Sequence, residues 1–146
     1  MPYTEVEILL VEDKRSDAEM TIRAIRKNNI GNHITHLKDG KEALDFLFGS
    51  GEFEGRDTKK MPKVILMDLK MPKVNGIEVL RQIKANDLTK KIPVVVLTSS
   101  KENPDIQECY ALGVNSYIVK PVVFADFMKV VSDLGMYWIL HNQSPT

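Results

Sequence analysis

Ile8-Leu9-Leu10-Val11-Glu12-Asp13 and Val64-Ile65-Leu66-Met67-Asp68 decide the reading of this chain. Each is an apolar run that ends abruptly on acid. Runs of Val, Ile and Leu without alternation are the mark of strands buried on both faces, as in a parallel sheet. A carboxylate at the end of such a strand is costly unless a charge meets it there. If the two strands lie side by side and parallel, their C-terminal ends bring three carboxylates into one pocket. Such a cluster repels itself unless a cation binds, and hard oxygen ligands of this kind suit Mg²⁺.

Outward from these runs, strand-like and helix-like segments alternate, the pattern of a parallel sheet covered by helices. The expected strands are Val6–Val11, His33–Leu37, Val64–Met67, Ile92–Leu97 and Ser116–Val119, the second and fifth being less apolar and nearer the edges. Helix starts fall between them. Ser16-Asp17-Ala18-Glu19 reads as a capping box, followed by Ala18, Ile22 and Ile25 on one face. Asp39 with Glu42, and Asn75 with Glu78, repeat the arrangement before Leu44 and Leu47 and before Val79, Leu80 and Ile83. Asn103-Pro104 reads as a cap with proline at the first helical position, and Gly113 as the stop. The last helix is expected over about Phe124–Leu140, with Phe124, Phe127, Met128, Val131 and Leu134 inward and Gly135 loosening it. The sum is an α/β fold with five strands and five helices. Gly49–Lys60, rich in glycine and charge, reads as a mobile surface loop, and His141–Thr146 as a frayed tail.

Composition narrows the partners. The 146 residues are 43% hydrophobic, enough for one core, and 20 basic residues balance 20 acidic ones. That balance points to no nucleic-acid or membrane partner. No apolar stretch approaches a membrane span, and Met1-Pro2-Tyr3-Thr4-Glu5 lacks the features of a signal peptide. The single cysteine, Cys109, forms no internal disulfide, which fits a cytoplasmic setting.

The chemistry gathers at the strand ends. Glu12, Asp13, Asp68, Thr98 and Lys120 each close a strand, and in open parallel sheets the binding crevice forms at that edge. Three acids hold a divalent cation, the cation and Lys120 draw in an anion, and Thr98 offers a hydrogen bond. An anion that calls for both Mg²⁺ and lysine is a phosphoryl group. A carboxylate pinned between metal and lysine can serve as its acceptor.

The blocks Glu12-Asp13, Asp68-Leu69-Lys70-Met71-Pro72, Asn75-Gly76, Thr98-Ser99-Ser100 and Lys120-Pro121, in this order and spacing, resemble the receiver domain of two-component response regulators. The resemblance runs from Ile8 to about Leu140. It implies a doubly wound, flavodoxin-like sheet of order 2-1-3-4-5 and one receiver domain over residues 1–146, with its core at about 6–140. It further implies that Asp68 is the phosphoacceptor, that Asp13, Asp68 and Glu12 with the Lys70 backbone carbonyl hold Mg²⁺, and that Thr98 and Lys120 bind the phosphoryl oxygens. Tyr117 matches the switch aromatic, and the Lys120-Pro121 peptide is expected to be cis. The surface that changes is then the fourth helix, fifth strand and fifth helix. The donor is a sensor histidine kinase. The loop before the third strand, the block Ile92–Ser100 and the ending Met136-Tyr137-Trp138 are similar to single-domain regulators that partner bacterial phytochromes. Those dimerise through the fourth-helix to fifth-helix face. The role so implied is phosphoacceptor rather than enzyme, with output through protein contact, phosphorelay or feedback on the kinase.

Each residue alone has a plainer reading. Asp after a strand is commonly a cap or turn, Thr98 a strand-end hydroxyl, Lys120 a solvated cation, and Tyr117 half-buried packing. Val122, Val123 and Val130 fit extra core as well as a dimer face. The glycines of Gly49–Gly55 do not fit a phosphate loop, because they follow a helix and not a strand. His33 and His36 fall on opposite faces of a strand, His141 lies in the tail, and Cys109 reads as packing. An aspartyl-phosphate hydrolase of the haloacid dehalogenase type would need a second acid where Asp68-Leu69-Lys70 has none. A flavodoxin-like electron carrier would need a hydroxyl-rich loop where Glu12-Asp13-Lys14-Arg15 stands. A docking module that works without phosphorylation is the remaining rival. Neither Lys70 nor Ser100 is suited to orient attacking water, so a phosphoryl lifetime of minutes or longer is expected.

Overall fold

The computed structural model describes residues 8–27 and 33–120, together with Ala125 and Lys129. Five parallel strands form one sheet: β1 (Ile8–Val11), β2 (Ile34–Leu37), β3 (Val64–Met67), β4 (Val94–Thr98) and β5 (Ser116–Val119), in the order β2-β1-β3-β4-β5. This is the doubly wound, flavodoxin-like order expected. Four helices lie between the strands: α1 (Arg15–Lys27), α2 (Gly40–Phe48), α3 (Gly76–Ala85) and α4 (Asn103–Ala111). The expected fifth helix, the Lys120-Pro121 peptide and the tail fall outside the described residues. Ala125 and Lys129, within the range of that fifth helix, are themselves helical.

The sheet sorts its side chains by parity, as a two-residue repeat requires. Leu9, Val11, Ile65, Met67, Val94 and Val96 pack on one face with Phe46 and Leu47 of α2, Leu80 and Ile83 of α3, and Cys109 of α4. Ile8, Leu10, Val64, Leu66, Val95 and Leu97 pack on the other with Ala18 and Ile25 of α1. Both faces are buried, which is why these runs do not alternate in sequence. Each of the buried Val, Leu, Ile, Phe and Met side chains contributes about 1.5–3 kcal/mol by leaving water.

The helix starts match expectation in two places and depart from it in two. Asp39 and Asn75 are N-caps whose side chains accept the backbone N–H of Glu42 and Glu78, at 2.8 and 3.0 Å. Gly113, with φ of 95°, follows the last turn of α4 as the expected stop. The Ser16 capping box does not form. α1 begins at Arg15, and the Lys14 carbonyl already accepts the Ala18 N–H at 2.9 Å, so Ser16 lies inside the first turn. Asn103 likewise is the first residue of α4 and not its cap. Glu102 precedes it without a side-chain bond, and the Ser100 hydroxyl accepts the Glu102 N–H at 3.3 Å.

The Gly49–Lys60 segment is not the plain surface loop expected. It contains a 3-10 turn, Gly51–Phe53, and is tied to α2 by Arg56. The Arg56 Nε donates to the Phe46 carbonyl at 2.6 Å, its Nη1 to the Lys60 carbonyl at 2.9 Å, and its guanidinium lies 4.0 Å above the Phe46 ring. Phe53 meets the edge of the same ring, with centroids 5.2 Å apart. Hydrogen bonds and cation–π contact together give this segment a fixed path.

Candidate functional site

The register of the sheet builds the site. Val11 pairs with Met67, and Thr98 with Val119, so the residues that follow stand level at one edge. The ladder continues one bond further. The Asp68 N–H donates to the Val11 carbonyl at 3.1 Å, the Glu12 N–H to Leu37 at 3.0 Å, and the Lys120 N–H to Thr98 at 2.8 Å. Glu12, Asp68 and Lys120 are therefore each fixed at the backbone as well as through the side chain. β4 starts two residues later and ends one residue later than the expected Ile92–Leu97, so Thr98 closes the strand itself and is fully buried.

Carboxylate oxygens of Glu12, Asp13 and Asp68 lie within 4.8 Å of one another. Glu12 and Asp68 are buried and Asp13 is exposed. The Lys120 ammonium bridges them, donating to Glu12, to Asp68 at 3.0 Å and to Asp17 at 2.9 Å. The other Asp68 oxygen accepts the Leu69 N–H at 2.7 Å. The His36 ring Nε2 lies 2.8 Å from the Glu12 carbonyl, and because a carbonyl only accepts, that nitrogen carries the hydrogen.

Burial and neighbouring charge divide the two inner acids. Burial pushes the Glu12 carboxyl above its ordinary value of 4.5, and the bond from Lys120 only partly opposes it, while the Asp68 charge adds to the rise. Burial pulls Asp68 the same way, but the Lys120 ammonium and then the Thr98 hydroxyl outweigh it and hold Asp68 below 3.8. Burial by itself would lower Lys120, yet its bonds to Glu12, Asp17 and Asp68 raise it above 10.5. One ammonium thus pairs with three carboxylates, and Asp13 adds a fourth to the cluster. The donor set suits a hard divalent cation: oxygen ligands only, a surplus of negative charge, and one acid open to solvent.

The β3–α3 connection supports this edge closely. The Gly76 N–H donates to the Leu69 carbonyl at 2.7 Å, and a Cβ at Gly76 would lie 2.3 Å from the Asp68 carbonyl oxygen, so only glycine fits. Lys73 adopts a left-handed φ of 68°, and its ammonium stands 3.5 Å from the buried carboxylate of Asp39.

On the opposite rim the β4–α4 connection is bonded mainly through Ser100. Its N–H donates to the Thr98 hydroxyl at 3.3 Å, its own hydroxyl to Asp105 at 2.6 Å, and its carbonyl accepts the Tyr117 hydroxyl at 3.0 Å. Tyr117 is half-buried, and burial pushes its hydroxyl above the ordinary value, against the bond to Ser100. Two site residues escaped the sequence reading. Asp17 was absorbed into a helix-start pattern, although its place four residues after Asp13 puts it on the same face of the chain's turn into α1. Asp105 carried no signal beyond being an acid in a first helical turn. Cys109 is fully buried, as expected of packing.

A parallel sheet of order 2-1-3-4-5 with acids, a hydroxyl and a lysine on one edge is the arrangement of phosphoacceptor receivers. The family model for the response regulator receiver domain matches residues 8–132, and the chain belongs to that family, part of two-component signalling. The chain is 41% identical over 138 residues to the probable methanogenesis regulatory protein FilR2 of Methanothrix harundinacea, covering 94% of this chain and 86% of that one. It is 39% identical over 132 residues to the response regulator Rcp1 of Synechocystis, covering 90% and 88%. Among solved structures, the bacteriophytochrome response regulator RtBRR superposes with a TM-score of 0.84 at 45% identity, over 97% of this chain and 84% of that one. The Mn²⁺-bound form of Rcp1 gives 0.76 at 37%, over 97% and 99%. The phosphorylated cyanobacterial phytochrome response regulator RcpA gives 0.72 at 33%, also over 97% and 99%. No helix among the described residues is long and apolar enough to cross a membrane.

Proposed function

We propose that this receiver takes a phosphoryl group from a sensor histidine kinase onto the Asp68 carboxylate, with Mg²⁺ as its cation. The observation that carries the proposal is the Lys120 ammonium held 3.0 Å from Asp68, beside Glu12 and Asp13 carboxylates within 4.8 Å. In the reaction an Asp68 oxygen forms the new bond to phosphorus as the bond to the kinase histidine nitrogen breaks, and the imidazole leaves neutral after protonation. Asp68, kept ionised by Lys120, is the nucleophile. Lys120 and the Thr98 hydroxyl take the charge that builds on the phosphoryl oxygens. Asp13, Asp68, Glu12 and the Lys70 carbonyl would hold the cation, which supplies charge neutralisation when bound.

Incubation with acetyl phosphate and Mg²⁺, read by intact mass, tests this. The wild type should gain one phosphoryl group and Asp68→Asn none. A wild type without an adduct would overturn the reading in favour of the phosphorylation-independent docking module. The Ser100 hydroxyl is committed to Asp105 and Lys70 is a cation, so neither orients attacking water, which supports a lifetime of minutes or longer. Loss of the adduct within seconds would refute that.

The readout proposed is the surface of α4, β5 and the fifth helix, with Tyr117 as the switch and a cis Lys120-Pro121 peptide aiming Lys120. The same face is proposed as a homodimer contact, and Tyr110 of α4 is 51% exposed on it. Sedimentation with and without a phosphate mimic should show a dimer in at least one state. A bacteriophytochrome-type kinase as donor is supported by the likeness to the bacteriophytochrome response regulator RtBRR and the phytochrome response regulator RcpA. The proposed setting is the cytoplasm, and the proposed output is protein contact, phosphorelay or feedback on the kinase.

A further inference from the structure

Lys120 has three N–H donors and three carboxylate partners, and the three are not equivalent. Glu12 and Asp68 belong with Asp13 to the oxygen set that suits a divalent cation. Asp17 does not. It comes from the first turn of α1, its side chain is 31% exposed, and Lys120 at 2.9 Å is its one partner among the described residues. A cation entering the set must compete with the ammonium for Glu12 and Asp68. An ammonium with no other acceptor would stay on those two oxygens and keep the cation out, or leave the pocket when the cation entered. Asp17 supplies the acceptor that the cation does not use.

We infer that Asp17 is a positioning residue that retains Lys120 at the pocket while Glu12 and Asp68 turn to the divalent cation. The inference rests on the Mg²⁺-dependent reading of this site. It explains why a carboxylate stands on the solvent side of an already acidic pocket: the lysine needs it, and the metal does not. The alternative roles are a through-space charge that simply attracts Mg²⁺, or a helix-start acid favoured by the α1 dipole. Only a role through Lys120 vanishes when the lysine is absent.

The test is a double-mutant cycle on Mg²⁺ affinity, measured by calorimetry with Mg²⁺ alone on the whole chain. Wild type, Asp17→Asn, Lys120→Met and the double variant are compared, with Asp17→Glu as the conservative rescue. Contacting residues couple strongly enough that Asp17→Asn should weaken Mg²⁺ binding about fivefold in the wild type. In the Lys120→Met background the same change should cost under about twofold. Asp17→Glu should recover most of the affinity because it restores a carboxylate, and the Lys120→Met background is what separates the route through the lysine from a helix-start role. Equal losses in both backgrounds would overturn the inference, as would no loss at all in a protein that binds Mg²⁺. A wild type that fails to bind Mg²⁺ would overturn the parent reading too, and that arm is read separately from the cycle.

Discussion

The two rims of the sheet edge are built from different interactions. The rim formed by β1, β3 and β5 is ionic: Glu12, Asp13, Asp17 and Asp68 around one ammonium. The rim formed by β4 and the start of α4 is held mainly by hydrogen bonds through Ser100, with Asp105 the charged side chain bonded to it. Ionic contacts in a partly buried pocket change sharply when charge is added, whereas a hydroxyl-and-carbonyl relay keeps its energy and changes its geometry. The first rim is therefore suited to chemistry and the second to carrying its result to α4 and β5. Thr98 joins them, because its hydroxyl both faces Asp68 and accepts from Ser100.

Lys120→Met should break this contrast most severely. It strips the ionic rim of its ammonium, and removing one partner from buried ion pairs costs on the order of 3 kcal/mol. The loss should be nearer about 2 kcal/mol, because Glu12, already raised, can take up a proton. Urea unfolding at neutral pH in chelator should show the drop, and added Mg²⁺ should recover much of it. The pH profile adds a sign. Asp68 is depressed, so its contribution is full above 3.8 and lost as pH falls through its folded value. Glu12 is raised, so its cost is present at neutral pH and relieved as pH falls through its folded value above 4.5. Without Lys120 the Asp68 contribution goes and the Glu12 relief grows. Acidification from pH 7 to 5 should then stabilise the variant relative to wild type. Parallel profiles would mean that Lys120 does not set these carboxylates.

Asp105→Ala tests the other rim. It removes the 2.6 Å bond from the Ser100 hydroxyl, worth about 1–1.5 kcal/mol in stability. The rate of Asp68 phosphorylation by acetyl phosphate should change by less than about twofold, since Asp105 bonds to Ser100 and not to Asp68 or Lys120. Tyr117→Phe, which loses only the 3.0 Å bond to the Ser100 carbonyl, should cost about 1 kcal/mol with the same small effect on rate. A collapse in phosphorylation rate in either variant would show that the rims are one unit.

The rims also differ in how far the sequence foretold them. The ionic rim was legible because strand ends are legible: an apolar run that stops on acid marks both the strand and the site, and parallel pairing brings the ends together. Asp17 was not, for it meets Lys120 across 103 positions of sequence, and Ser16-Asp17-Ala18-Glu19 offered a local explanation first. The relay through Ser100 was legible only at Thr98 and Tyr117. Serine and aspartate near a helix start are read as caps, and which of several hydroxyls and carbonyls pair depends on a loop path that periodicity does not encode. Arg56 is the same case: its cation–π seat on Phe46 turns a glycine-rich, charged stretch into a fixed one, and no spacing rule announces it.

Cys109 gives the smallest and cleanest test of the second rim. It lies on α4 behind that loop, fully buried, and burial pushes its thiol up to about 11, helped by the Asp105 and Glu108 charges. In the unfolded chain the thiol ionises near 9.0, so between there and about 11 the unfolded state holds fewer protons than the folded one. By linkage, stability must fall as pH rises through that window, and remain untouched below it. Cys109→Ala should lose some packing energy at every pH but flatten this alkaline slope. Asp105→Ala, which removes one of the two named charges, should lower the thiol and shorten the window from above. If unfolding measured between pH 8 and 11 keeps its slope in Cys109→Ala, another group owns it. If Asp105→Ala leaves the thiol's titration unchanged, the Asp105 carboxylate is not felt behind α4, and its role stops at Ser100.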